Sequence, residues 1–211
     1  MSHSLHRFGK PEDLKNDFCI YSRAAKGINR DNCGDKLRRT LEIYLKNDVV
    51  NFGSSHAGRN YLSGLKPDEY AKTLDNSYGI IATFADRNAV KGVLTQLKEA
   101  ALGISVVVSG LIDEVKQIAY EAGLRPHTAL LSLGIYGKRS RLPEDEVLAV
   151  TTMCGHSLVS ASLAREVIEG VKKGKLTPEQ GALRLSRPCP CGIFNTKRCA
   201  ELLEKQRSAA Q

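Results

Sequence analysis

Two apolar periods alternate along the chain, and each predicts its own element. Apolar residues at every second position, or in short unbroken runs, predict strands, whereas recurrence at every third and fourth position predicts helices. Phe-Cys-Ile-Tyr-Ser-Arg-Ala-Ala, within Asp17 to Ala25, reads as a strand that leaves through the turn Lys26-Gly27-Ile28-Asn29. Leu37, Leu41, Tyr44 and Leu45, with Arg and Lys between them, predict an amphipathic helix from Asp35 to Lys46, and Val49 to Phe52 a second strand. The small, polar stretch Gly53 to Asn60, with His56, Arg59 and Asn60 at its tips, reads as a surface loop. Pro67 with Asp68 and Glu69 then opens a short helix, acids lying beside its positive end.

The middle of the chain carries the clearest fold signal. Tyr78 to Phe84 is a predicted strand, Asp86 caps a helix running through Leu97 and Ala100, and Ile104 to Val108 is an apolar strand of the kind buried on both faces. Ser109-Gly110 turns into a helix from Leu111 to Ala122, and two further strands are predicted at Leu130 to Tyr136 and Val147 to Thr152. Strand and helix alternating in this way predict an α/β fold with a mostly parallel or mixed sheet and flanking helices. Beyond residue 152 the pattern becomes helical. Val159, Leu163, Val167, Ile168 and Val171 form one stripe, Thr177-Pro178-Glu179-Gln180 is an N-terminal cap, and Asn195 caps a last helix bearing Cys199, Leu202 and Leu203. The expected organisation is an α/β domain over 1–152 with a helical, metal-binding segment over 153–211 packed on it.

Composition narrows the function classes. At 211 residues the chain can bury a substantial core, so its six cysteines are not needed merely to make it fold. No apolar run reaches the length of a membrane span, and the polar start Met-Ser-His-Ser-Leu-His-Arg lacks a secretory pattern, which predicts a cytoplasmic protein with free thiols. A net charge of +8 favours an anionic partner. Basic residues interleaved with acids, 6% aromatic content and no tryptophan argue against nucleic acid and leave a small anionic substrate as the expected partner. An electron-transfer partner and a homo-oligomer are compatible with the same composition. Gly134 to Ser140 resembles a phosphate loop only superficially, because Ser132 stands where the first glycine of that motif belongs.

Candidate chemistry concentrates between Met153 and Cys199. Met153-Cys154-Gly155-His156 opens this stretch, and Arg187-Pro-Cys-Pro-Cys-Gly-Ile-Phe-Asn-Thr-Lys-Arg-Cys199 closes it. Prolines restrict the backbone before and between Cys189 and Cys191. The intervening helices can fold as a hairpin that returns Cys189 and Cys191 to Cys154, with Cys199 as a fourth candidate ligand. Thiolates are soft donors for Fe-S clusters, Zn(II) or Cu(I). Paired zinc knuckles and the regular ferredoxin spacing are both absent, so the expectation is a [4Fe-4S] cluster seated in an enzyme, a lyase or an oxidoreductase.

His156 and His127 are the candidate acid/base groups. Ser109, Gly110, Lys138, Asn195, His3, His6 and Arg7 are the candidate substrate-binding residues, the first two because a strand there runs into a helix N-terminus. The competing readings are a zinc-stabilised module that binds nucleic acid or protein, a metal carrier or cofactor-assembly protein, and a nucleophilic Cys154 assisted by His156.

Overall fold

The strand predicted over residues 17–25 becomes the centre of the sheet. A computed structural model of the chain describes residues 2–54 and 58–209, with side chains from Ser4 onward. His56 and the side chain of His3 therefore lie outside the described residues. Five strands, β1 (Phe18–Arg23), β2 (Asn51–Ser54), β3 (Arg59–Asn60), β4 (Gly79–Phe84) and β5 (Ser105–Ser109), are ordered β3-β2-β4-β1-β5. Helix α1 (Pro11–Leu14) precedes β1, α2 (Gly34–Leu45) links β1 to β2, α3 (Pro67–Thr73) precedes β4, and α4 (Arg87–Ala100) links β4 to β5.

The α/β class holds, but every pairing in the sheet is antiparallel, which corrects the mostly parallel expectation. The reason lies in the connections. Each helical crossover skips a strand: β1 and β2 run parallel but β4 lies between them, and β4 and β5 run parallel but β1 lies between them. Two interleaved β-α-β units of this kind form the split arrangement, in which local strand-helix alternation gives no sign of the intercalated neighbour. Ile104 to Val108 is accordingly the sheet's edge and not a strand covered on both faces. Val106 and Val107 are 37% and 42% exposed.

Period-two alternation sorts the strand residues onto two unlike faces. Phe18 and Ile20, Phe52, and Ile80, Ala82 and Phe84 face α2 and α4, joining Leu37, Leu41, Tyr44, Val90, Val93 and Leu94 in one apolar core. The Tyr44 and Phe84 rings meet edge to face at 5.6 Å. Asp86 caps α4 as predicted, accepting the Ala89 N-H.

The other face is covered by the C-terminal helices: α6 (Asp145–Thr151), α7 (Ala161–Lys172), α8 (Pro178–Ser186) and α9 (Thr196–Ser208). Their apolar stripes, including Val167, Val171, Leu185 and Leu203, form a second core with Met153, Ile193, Phe194 and Cys19. Thr177 makes the expected capping box with Gln180, and Asn195 caps α9.

Two predicted strands are absent. Val147 to Thr152 is helical: Asp145 and Glu146 occupy the first turn, and the Thr151 and Thr152 hydroxyls donate to the carbonyls of Val147 and Leu148. Leu130 to Tyr136, which follows α5 (Ile112–Glu121), has no regular structure and is exposed throughout. Its apolar pattern suits a strand, but it pairs with no strand of the sheet. No helix among the described residues is long and apolar enough to cross a membrane.

Candidate functional site

Two turns of the helical layer bring the sulfurs together. After α6 the chain curls through Cys154, whose N-H bonds the Thr151 carbonyl, to Ser157, whose N-H returns to the Cys154 carbonyl from a left-handed conformation at φ 58°. After α8, the Cys189 N-H bonds the Ser186 carbonyl and the Gly192 N-H returns to the Cys189 carbonyl at 3.3 Å, with Gly192 at φ 76°. The prolines hold this second turn open, and the left-handed glycine closes it.

Cys154, Cys189 and Cys191 are all buried. Cys189 and Cys191 have their sulfurs 3.8 Å apart, and Cys191 Sγ lies 3.7 Å from His156 Nδ1. Cys189 also donates to Cys154. That bond lowers the Cys154 thiol to about 6 against the cost of burial, with help from the backbone N-H groups of Leu158 and His156. Cys189 is driven far upward by its bonds to Cys154 and Cys191 and by burial. One thiol of lowered pKa thus sits within a cluster of thiols, with the exposed imidazole of His156 at the end.

The sheet supplies the floor. Asn51, Thr83, Cys19 and Ser109 are paired in one row across β2, β4, β1 and β5. Three members of that row bind the carbonyls of the chain leaving Cys191: Thr83 Oγ1 donates to Gly192 O at 3.1 Å, Asn51 Nδ2 to Phe194 O at 3.3 Å, and Cys19 Sγ to Ile193 O at 3.9 Å. Asn60 on β3 donates to the carbonyls of Ser186 and Cys189 at 3.0 and 2.9 Å. A non-helical segment buried here would otherwise leave its carbonyls without partners. Backbone meets backbone at Gly53: a Cβ there would overlap the Pro190 carbonyl, and one at Gly192 would overlap Phe52.

A buried ion cluster closes the other end. Asp17 is salt-bridged to Arg7 and, at 2.9 Å, to Arg198, and it accepts from Asn195 Nδ2 at 2.9 Å. Arg7 also donates to Cys19 Sγ at 2.9 Å and to the Ile193 carbonyl. Burial pushes the Asp17 carboxyl up, but the two guanidiniums outweigh it and hold Asp17 below the usual carboxylate range. Burial likewise opposes the charge on Arg7. Asp17, Cys19 and Cys189 outweigh it, and Arg7 is raised. Two guanidiniums facing one carboxylate leave positive charge beside the thiols.

The structure gathers some of the sequence candidates and scatters others. Cys154, Cys189, Cys191 and His156 form the cluster. Cys199 is wholly buried in α9 within the second core, where burial pushes its thiol far up. Asn195 serves as helix cap and Asp17 partner, and Arg7 as part of the ion cluster. Ser109 bonds Ser4 Oγ at 2.7 Å, while Gly110 is pressed against Phe18 and Val115. His6, His127 and Lys138 are exposed, His127 bonding its neighbour Thr128.

The sequence reading missed Cys19, Asn51, Thr83, Asp17 and Arg198, and it placed Asn60 at the tip of a surface loop, whereas Asn60 is wholly buried on β3. The signal for three of them was present, as polar or small residues at alternate positions of strands whose other face is apolar.

Among the described residues, no group of three or more His, Cys, Asp or Glu side chains has metal-holding geometry as placed. The donors touch in succession, Cys154 to Cys189 to Cys191 to His156, and do not already surround a point. No protein family, curated protein or solved structure matches the chain.

Proposed function

We propose that this chain is a metal-thiolate protein in which Cys154, Cys189 and Cys191, with His156 as the outermost donor, bind a soft metal. The observation that carries the reading is the run of contacts at 3.8 and 3.7 Å through two sulfurs and the imidazole, continued by the bond from Cys189 to Cys154. Tetrahedral Zn(II), with Zn-S bonds of about 2.3 Å, has S···S edges of about 3.8 Å, so this spacing favours a single ion. Binding requires the donors to turn from their chain of contacts onto that ion.

Two further features support an anionic centre. The Cys154 thiol is lowered chiefly by Cys189, with backbone N-H groups helping, and the surplus guanidinium charge of Arg7 and Arg198 lies alongside. Three thiolates around a divalent ion carry net negative charge, which that surplus offsets. The exposed imidazole of His156 is what an incoming ligand or substrate reaches first, as an exchangeable donor or as an acid/base group.

A [4Fe-4S] cluster on the same cysteines is the second reading. It is favoured by the N-H bonds to Cys154, of the kind that tune cluster potentials.

Metal and acid-labile sulfide analysis, with a visible spectrum, on protein purified without oxygen tests the proposal. About one metal per chain without sulfide is expected, lost in Cys191→Ser and kept in Cys33→Ser. About four irons with matching sulfide moves the assignment to the cluster. Metal-free wild type after reconstitution, or normal metal content in Cys191→Ser, overturns the thiolate centre.

A further inference from the structure

The segment between α5 and α6 has no place in either core. From Arg125 to Leu142 every residue is exposed, and no backbone hydrogen bond among the described residues ties 125–136 to another element. The stretch is nevertheless apolar: Leu130 is 68% exposed, Leu133 82% and Tyr136 80%, with Leu131 and Ile135 beside them. A monomer seldom leaves an apolar patch above about 300–600 Å² uncovered, and five large side chains at these exposures reach or pass that size.

A second feature matches the first. β5 is the terminal strand of the sheet, paired on one side with β1 and unpaired on the other. Edges are ordinarily blunted by lysine, proline or a bulge. This edge reads Ser-Val-Val-Val-Ser, with Val106 and Val107 partly exposed and none of those devices. An open, β-branched edge and an extended, strand-patterned segment without a ladder are complementary, and one chain carries both.

We infer that the chain forms a twofold dimer in which residues 129–136 of each copy add as a strand to the β5 edge of the other. Pairing within one chain would cost the least loop entropy, and the chain does not make it. Eight extended residues span about 26 Å, enough to cover a five-residue edge of about 17 Å. Twofold exchange makes the addition twice, and the area covered per chain approaches the roughly 800 Å² per partner of a standard stable interface.

Charge sets the direction. Laid parallel to β5, the segment carries Lys138, Arg139 and Arg141 past Ser109 toward Asp113 and Glu114 in the first turn of α5.

Light scattering during gel filtration, together with amide exchange on the full chain, tests the inference. The wild type is expected to be a dimer, with amides of 129–136 and 105–109 protected together. Leu131→Asp with Leu133→Asp, and separately Val107→Asp, are each expected to raise the dimer dissociation constant at least about tenfold. These side chains are exposed or partly exposed, so circular dichroism and metal content should not change. A wild type that is monomeric at every accessible concentration, whether its 129–136 amides are unprotected or paired within the chain, overturns the inference. So does a dimer indifferent to both variants.

Discussion

The two faces of the sheet are made by the same strands and held by different forces. On the α2 and α4 side, Phe18, Ile20, Phe52, Ile80 and Phe84 meet other apolar side chains, and the contact is non-directional. On the helical side, Asn51, Thr83 and Cys19 reach individual carbonyls between Gly192 and Phe194, and Asp17 holds two guanidiniums. Polar contacts of this kind contribute little net stability, but they fix position, because a carbonyl that loses its donor remains buried and unpaired. One face therefore makes the fold durable, while the other aims a cysteine turn.

The largest effect that separates the faces is expected from Phe84→Ala. Removing this wholly buried ring should cost about 3–5 kcal/mol, read as a lower denaturant midpoint, while the folded fraction keeps its metal stoichiometry. Loss of metal in step with stability would show that the faces are not independent.

Asp17→Asn comes next, at about 3 kcal/mol, because it leaves two buried guanidiniums without their carboxylate. This group also makes stability depend on pH. Its folded pKa lies below the unfolded value, so the ionised carboxylate's contribution is complete above about pH 4 and is lost as pH falls toward the folded pKa. Acid unfolding followed by circular dichroism should therefore be flatter below pH 4 in the Asn variant. An unchanged acid limb would remove Asp17 as its cause.

The smallest change in stability is expected from Thr83→Val, which keeps the shape but leaves the Gly192 carbonyl without its side-chain donor, at about 1 kcal/mol. Its effect on metal affinity should be proportionally larger than its effect on stability. Equal affinity for wild type and variant would mean that the floor does not aim the turn.

The sequence by itself determined the helix caps and singled out the cysteine turn. Asp86, Thr177 and Asn195 cap their helices as read, since capping needs only residues within one turn. Cys189 and Cys191 stood out because proline and glycine fix the backbone around them. Strand order was decided only in three dimensions: β4 enters between β1 and β2 through long-range pairing, and no local pattern encodes which strands become neighbours.

The same holds for the floor of the site. Asn51, Thr83 and Cys19 lie far apart along the chain and acquire a common purpose only when the register sets them in one row beneath Cys191. Val147 to Val150 fits a strand or a buried helix equally well as a short apolar run, and packing against α7 and α9 decided for the helix. Periodicity and capping are written in neighbouring residues, whereas register, edge and face arise from pairing free energies that exist only once the sheet has formed.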